Sequence, residues 1–165
     1  MNPFADVVIR AALPPDLHAV AALIDAMDQH YLGPGRSAGI AAAERMVQRV
    51  WSEREGTRFA LAIAGGDAIG LACYVVIRPG DQLRGLMFLK DLFVVPEARS
   101  GGIGRAMMRW LAREAIALEL GRIDVTTDEA NVGAARLYDA LGAERQRKIM
   151  FRYDSDRLAR LADAE

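Results

Sequence analysis

The chain has 165 residues, of which 52% are hydrophobic and 26% charged, and a formal net charge of -1. This length suits one domain with a buried core, and we expect a single domain over residues 1–165. The near-zero charge gives no electrostatic footprint for nucleic acid or an anionic membrane, so we predict neither as a partner. A single cysteine excludes an internal disulfide, and no cysteine–histidine cluster indicates a metal site.

Two stretches of the sequence indicate where in the cell the protein is located. The first residues, Met1–Asp6, lack the basic start and long apolar run of a signal peptide. Phe59–Ile77 carries one charge, Asp67, but Gly65-Gly66-Asp67 divides this stretch and β-branched residues follow. That pattern predicts a hairpin with a buried Cys73 rather than a membrane span. We therefore predict a cytoplasmic protein.

The first half of the chain alternates between strand and helix patterns. Period-two and period-3.6 spacing of apolar residues distinguishes the two. The predicted elements are a strand at Val7–Arg10, a helix starting at Pro14-Pro15-Asp16 and continuing to Met27, a helix from about Ala41 to Glu53, and hairpin strands at Phe59–Ala64 and Ala68–Ile77.

The second half repeats the alternation with longer elements. Glycine or proline ends several of them. The predicted elements are a strand at Leu86–Val95, a helix from about Gly102 to Leu120, a strand at Arg122–Thr127, a helix at Asn131–Leu141, a strand at Gln146–Tyr153 and a helix at Ser155–Ala162. A strand–helix–strand–helix order requires crossover connections, so we predict an α+β domain with some parallel pairing.

The segment after the Leu86–Val95 strand carries the first chemical signal. It runs Pro96-Glu97-Ala98-Arg99-Ser100-Gly101-Gly102-Ile103-Gly104-Arg105, a glycine-rich loop leading into a helix. The first turn of a helix has unpaired N–H groups and a positive dipole end, and glycine lets an anion approach the backbone. The loop therefore predicts a diphosphate site. A P-loop is excluded because no lysine follows these glycines, and the Gly-x-Gly-x-x-Gly dinucleotide pattern is absent.

The second signal is the segment from Asn131 to Ala143. Tyr138 follows Asn131 by two helical turns, so both residues share a helix face and can address one ligand. A tyrosine hydroxyl can donate a proton to a departing thiolate of comparable basicity. A packed tyrosine without a catalytic role is the alternative.

The two segments together resemble the GNAT N-acetyltransferases. Arg99-x-x-Gly102-x-Gly104 is similar to the acetyl-CoA signature of that family, and the strand before it and the Asn131–Ala143 helix after it stand in the family's order. The resemblance covers about residues 58–153. It implies a central mixed, mostly antiparallel sheet with a splayed parallel strand pair, flanked by helices.

The resemblance also implies roles for individual residues, with acetyl-CoA as acetyl donor and no metal. Backbone groups of the strand would bind the pantetheine arm, the Leu92 amide would face the thioester oxygen, Asn131 would contact the arm and Tyr138 would protonate the CoA thiolate. Direct attack by the amine is implied, without a covalent enzyme intermediate. The cofactor-binding set is Leu92, Phe93, Val94, Arg99, Ser100, Gly101, Gly102, Ile103, Gly104, Arg105 and Asn131.

A base must deprotonate the alkylammonium before it can attack. Asp91 is our first candidate, and Glu97, Asp128 and Glu129 remain alternatives. Where some polyamine-type relatives have a glutamate, this chain has Lys90, and we expect Lys90 and Asp91 to face opposite ways because side chains alternate along a strand. His18 and His30 are predicted to lie far from the motifs.

The acceptor is a small-molecule or peptide amine, and the sequence does not choose between them. The resemblance implies that the segment from Asp28 to Gly39 covers the acceptor site. A non-catalytic acyl-CoA-binding regulatory domain is the main alternative function, and a nucleotide-binding protein is a third reading. The resemblance implies a homodimer, because members of that family are often homodimers. The alternating apolar residues of Gln146–Tyr153 predict a strand that pairs near a sheet edge.

Overall fold

The computed structural model describes residues 6–53 and 55–163. Within them, five strands form one sheet in the order β1-β2-β3-β4-β5. Neighbouring strands are antiparallel, except that β4 and β5 are parallel. The strands are β1 (Val8–Ala11), β2 (Thr57–Ala64), β3 (Asp67–Ile77), β4 (Leu86–Val94) and β5 (Arg122–Val125).

The helices connect and flank these strands. Short 3-10 turns at Pro14–Asp16, Asp81–Leu83 and Pro96–Ala98 join some of the elements. The α-helices are α1 (Leu17–Leu32), α2 (Ile40–Ser52), α3 (Ile103–Ala117), α4 (Val132–Ala140) and α5 (Ser155–Ala162). The mixed sheet with one parallel pair, predicted above, is confirmed.

One predicted element is wrong. Gln146–Tyr153 is not a strand, and residues 143–154 have no regular helix or strand structure. Alternating apolar residues give a segment strand propensity, but a strand also needs an edge to pair with. Here the segment leaves α4 without joining the sheet, and its apolar side chains are exposed.

The sheet has a core on each face because side chains alternate along its strands. Ala60 and Ala62 of β2 pack toward α3, whereas Phe59 and Leu61 pack toward α1 and α2. The α3 side contains Met107 and Leu111, among others. The opposite side contains Val20, Leu23, Val47 and Val50 from the first two helices.

A β-bulge in β4 interrupts this alternation. Cys73 of β3 pairs with Asp91 and Tyr74 pairs with Leu89, so Lys90 is an extra residue without a partner on β3. Leu89 belongs to the core beneath α3, but Phe93, four residues later, belongs to the core beneath α1 and α2. The bulge therefore reverses which face each later residue of β4 addresses.

The parallel pair separates partway along its length. The β4–β5 pairing begins at Leu86–Arg122 and ends at Leu89–Val125, while β4 continues to Val94. Residues 91–94 of β4 thus pair with β3 on one side only. A gap opens beside them on the β5 side.

Candidate functional site

The backbone of β4 turns hydrogen-bonding groups toward this gap. The Val95 N–H donates to the Ile69 carbonyl at 3.0 Å, on the β3 side. Successive peptide groups of a strand point in opposite directions, so those of Val94 and Leu92 point away from β3. The predicted Leu92 amide donor is therefore directed into the gap, whereas the Phe93 backbone faces β3 and its ring is buried.

The glycine-rich loop lies where β4 leads into α3. Gly102 is the N-cap of α3 with φ of 78°, no side chain caps the helix there, and a Cβ at Gly102 would meet no atom within 4 Å. Ser100 also has a positive φ, of 66°, which costs a non-glycine residue on the order of 1 kcal/mol. The first N–H groups of α3 have no partners within the helix, which gives an anion several donors.

The third glycine of the loop allows two helices to pack closely. A Cβ at Gly104 would lie 3.2 Å from Leu137 Cδ2, so Gly104 lets α3 and α4 approach closely. Ile103 is buried in the core, and any contact it makes to a diphosphate would use its backbone. The predicted anion site thus rests on Gly101 and Gly102, whereas Gly104 positions α4 and the residues it carries.

The Arg99 side chain lies along the end of β4. Its Nε donates to the Val94 carbonyl at 3.0 Å, and its guanidinium carbon is 5.7 Å from the centre of the Phe93 ring. These contacts hold a positive charge at the edge of the gap. Arg105, in the first turn of α3, adds a second cation to the same end of the helix.

Helix α4 begins at a polar cap. The Asn131 Oδ1 accepts a hydrogen bond from the Ala134 N–H at 3.1 Å, which satisfies one free donor of the helix. This contact leaves the amide nitrogen of Asn131 for another partner. It also fixes the start of the helix that carries Tyr138 two turns later.

Tyr138 is half-buried, and its environment keeps it protonated. The pKa of its hydroxyl is raised, first by burial and then by the nearby Tyr31 and Asp91. Tyr138 and Asp91, the two residues predicted as catalytic, therefore lie within electrostatic range of each other although they are almost fifty positions apart in the sequence.

Lys90 and Asp91 do not face opposite ways, contrary to the expectation from strand alternation. The Lys90 Nζ lies 3.2 Å from Asp91 Oδ1, and both side chains line one cavity between the sheet, α1 and α2. The bulge at Lys90 is the reason, since the extra residue breaks the alternation.

The other carboxylates proposed as bases lie in more exposed positions. Glu97 is exposed on the 3-10 turn after β4. Asp128 and Glu129 are exposed on the loop before α4, where Asp128 Oδ1 accepts a hydrogen bond from the Ala130 N–H at 3.2 Å. Only Asp91, among these candidates, lines the cavity.

Cys73 lies opposite Asp91 on the neighbouring strand and also lines the cavity. Burial raises the pKa of its thiol to about 11, with a smaller contribution from the Asp91 carboxylate. A thiol with this pKa is almost entirely protonated at neutral pH, and it is therefore a poor nucleophile. The environment of Cys73 agrees with a reaction that forms no covalent enzyme intermediate.

The prediction that both histidines lie far from the motifs is wrong for His30. The centre of its ring is 6.1 Å from that of Phe93 and 5.1 Å from that of Tyr31. Helix α1 continues to Leu32, which brings its last turn to the end of β4. His18 instead lies 2.8 Å from Glu44 on α2. No local sequence signal connects His30 or Tyr31 with residues sixty and more positions later.

The segment between α1 and α2 is tied to α1. Ser37 Oγ donates to the buried Asp25 carboxylate, and Gln29 Nε2 donates to the same group at 2.7 Å. Ser37 Oγ also accepts a hydrogen bond from the Gly39 N–H at 3.0 Å. The cavity is lined by residues of the two helices rather than by the segment from Asp28 to Gly39.

Two kinds of feature are absent from the described residues. No group of three or more His, Cys, Asp or Glu side chains is arranged there to hold a metal ion. None of the helices in those ranges has both the length and the apolar character needed to cross a membrane.

Comparison with solved structures identifies similar folds. An integron cassette protein from the mobile metagenome of V. cholerae, VCH_CASS6, is 28% identical, with a TM-score of 0.84 over 96% of this chain and 98% of its own. A match of that extent reaches beyond residue 142 and includes part of the C-terminal segment. No curated protein matches the chain.

Two further structures share the fold at lower identity. Ribosomal-protein-alanine N-acetyltransferase from Brucella melitensis biovar Abortus 2308 is 17% identical, with a TM-score of 0.73 over 90% of this chain and 100% of its own. Aminoglycoside N-acetyltransferase AAC(6')-Iy, solved in complex with CoA, is 21% identical, with a TM-score of 0.73 over 91% and 95%.

The family model described as the acetyltransferase (GNAT) family matches residues 23–143. This range contains β4, the glycine-rich loop, Tyr138 and most of the sheet. The chain belongs to the GNAT acetyltransferase family and is an acyltransferase.

Proposed function

We propose that the protein transfers the acetyl group of acetyl-CoA directly to a primary amine of a small molecule or peptide. One observation carries the proposal: the gap beside the end of β4 brings together backbone donors, the start of α3 and the side chains of Tyr138 and Asp91. Each of these matches one requirement of acyl transfer from a thioester.

The residues around the gap suit CoA. The peptide groups of Leu92 and Val94 can hydrogen-bond an amide-containing arm, as an additional strand would. The loop from Arg99 to Arg105 offers N–H groups and two cations to a diphosphate. The amide nitrogen of Asn131 is a further donor on the α4 side.

The chemistry requires proton transfers at the amine and at the leaving sulfur. Asp91 accepts a proton from the bound ammonium, and the neutral amine then attacks the thioester carbon. The Leu92 N–H stabilises the negative charge that develops on the thioester oxygen. As the carbon–sulfur bond breaks, Tyr138 donates its proton to the departing thiolate. The attacking nitrogen then loses its second proton to the Tyr138 phenolate, which restores the hydroxyl. The products are the acetylated amine, CoA with a free thiol and one proton, which Asp91 holds.

Release of that thiol provides the direct test. The purified protein is incubated with acetyl-CoA and a panel of amines, and a thiol-reactive dye reports free CoA. We expect amine-dependent thiol release, and we expect CoA to raise the melting temperature more than ATP or NAD does. A higher melting temperature with ATP than with CoA would contradict the proposal.

A non-catalytic acyl-CoA-binding domain is not favoured, because the chain belongs to an acetyltransferase family and retains a tyrosine at the position of the proton donor. That alternative predicts CoA binding without thiol release for every amine. A cytoplasmic location is part of the proposal, since acetyl-CoA is a cytoplasmic metabolite.

A further inference from the structure

A cavity of about 510 Å³ lies beneath α1 and α2, beside Asp91. The two helices form its roof and β2, β3 and β4 form its floor. Its position next to the proposed base makes it the place where an acceptor amine would bind. The apolar residues that line it are Ile24, Met27, Met46, Val50, Phe59, Leu71 and Cys73.

The walls of this cavity suit an apolar body. Phe59 and Leu71 are buried core residues that form a rigid floor. Met27 and Met46 are flexible and polarisable, and methionine adapts to apolar groups of different shapes. Cys73 adds a neutral thiol, because its pKa of about 11 keeps it protonated. Small-molecule pockets with this volume and lining usually bind a mostly apolar ligand at a few polar points.

The charges of the cavity do not suit a polycation. Glu55 Oε1 lies 3.3 Å from Arg49 Nε, and Asp91 Oδ1 lies 3.2 Å from Lys90 Nζ. Each carboxylate of the lining thus has a cation beside it, and the four charges sum to zero. Several ammonium groups on one acceptor would have to displace both of these cations, whereas a single ammonium competes only with the exposed Lys90 for Asp91.

We propose that the acceptor is a monoamine with an aliphatic or aromatic body, bound with the body against Met27 and Met46 and the amine at Asp91. This inference rests on the proposed acetyl transfer to a primary amine. It names a substrate class that differs from the aminoglycosides of some structural neighbours.

A homologous series of amines tests the inference. We expect kcat/KM to rise about fourfold for each methylene added from ethylamine to hexylamine, as burial of a methylene group predicts. Phenylethylamine should exceed ethanolamine by at least tenfold, and kanamycin and spermidine should be poor acceptors. Two peptides, one beginning with leucine and one with serine, are included to test whether a peptide amine is accepted as well as a free amine. We expect a higher kcat/KM for the peptide that begins with leucine.

A variant of a cavity residue tests whether the dependence of kcat/KM on chain length arises in this cavity. Met46 is partly exposed on α2, so Met46→Ser should fold. We expect it to flatten the dependence on chain length, with the largest loss of kcat/KM for hexylamine. Ile116→Ser, at an exposed site on α3, is the matched control and should leave the series unchanged.

The outcomes separate the two proposals. Preference for kanamycin or spermidine, or a flat series in the wild-type protein, would overturn the apolar-acceptor inference and leave acetyl transfer intact. Absence of thiol release with every amine would overturn acetyl transfer itself, and this inference with it.

Discussion

Leu89 and Phe93 are four residues apart on β4, and yet they pack on opposite faces of the sheet. In a regular strand, residues separated by an even number share a face. The extra residue Lys90 shifts the pattern, so Asp91 faces the cavity beneath α1 and α2 rather than the core beneath α3. The bulge thereby puts a carboxylate where an acceptor amine would enter.

The first prediction concerns this carboxylate. Asp91→Asn keeps the shape of the side chain but removes the base, so kcat/KM for amines should fall about 10²–10⁴-fold. CoA affinity, measured by calorimetry, should stay within about twofold. Raising the pH should partly restore activity, because a larger fraction of the amine is then already neutral.

Glu97→Gln is the matched comparison, since Glu97 is an exposed carboxylate of the turn after β4. It should retain wild-type kcat/KM. If Glu97→Gln loses activity and Asp91→Asn retains it, the base has been assigned to the wrong residue.

The second prediction concerns the loop at the start of α3. Gly102→Val places a side chain over the N–H groups proposed for the diphosphate, and CoA affinity should fall at least tenfold. Valine is also strained at the Gly102 φ of 78°. Gly142→Val has the same strain at φ of 81°, with open space around its Cβ.

Comparison of the two variants separates the effect of backbone strain from the effect of a side chain that blocks the N–H groups. Both should lose a similar amount of thermal stability, but only Gly102→Val should bind CoA weakly in a calorimetric titration. Equal CoA affinity in the two variants would exclude the loop from the binding site.

Much of the fold was predictable because its signals are local. Apolar periodicity located each helix and the strands β1 to β5, and Gly102 and Asn131 marked the starts of α3 and α4 within a residue. The strand–helix order predicted the parallel pair. The mixed, mostly antiparallel sheet that the family resemblance implied was also confirmed.

The features that were not predictable depend on contacts between distant residues. The bulge at Lys90 arises from the register of β3 against β4. No glycine or proline in the sequence marks its position. His30 and Tyr31 reach the site because α1 packs across the end of β4. Gln146–Tyr153 has strand periodicity, but periodicity does not say which edge, if any, a strand will find.

The third prediction concerns the thiol of Cys73. Its pKa is raised by burial, with a smaller effect of Asp91, to about 11, so the reactive thiolate is scarce at neutral pH. Alkylation by iodoacetamide should therefore accelerate about tenfold for each pH unit and continue to rise above pH 10. A rate that levels off near pH 9 would contradict the raised pKa. Circular dichroism at each pH verifies that the protein stays folded.

The last prediction separates binding from chemistry at Tyr138. Tyr138→Phe removes the hydroxyl and keeps the ring, so CoA affinity should change little. General-acid assistance is worth about 10²–10⁴-fold, and the rate of acetyl transfer should fall by that factor. Single-turnover measurement isolates this step from product release, which would otherwise mask the loss.

Tyr31 is the competing donor, because its side chain lies close enough to raise the pKa of Tyr138. Tyr31→Phe should retain most of the single-turnover rate if Tyr138 protonates the thiolate. The raised pKa of Tyr138 adds a second criterion. Burial raises the pKa of its hydroxyl, so any alkaline decline of the wild-type rate that Tyr138→Phe abolishes should lie above the usual range for tyrosine. A wild-type rate in Tyr138→Phe, with the loss found in Tyr31→Phe, would transfer the role of acid from α4 to the last turn of α1.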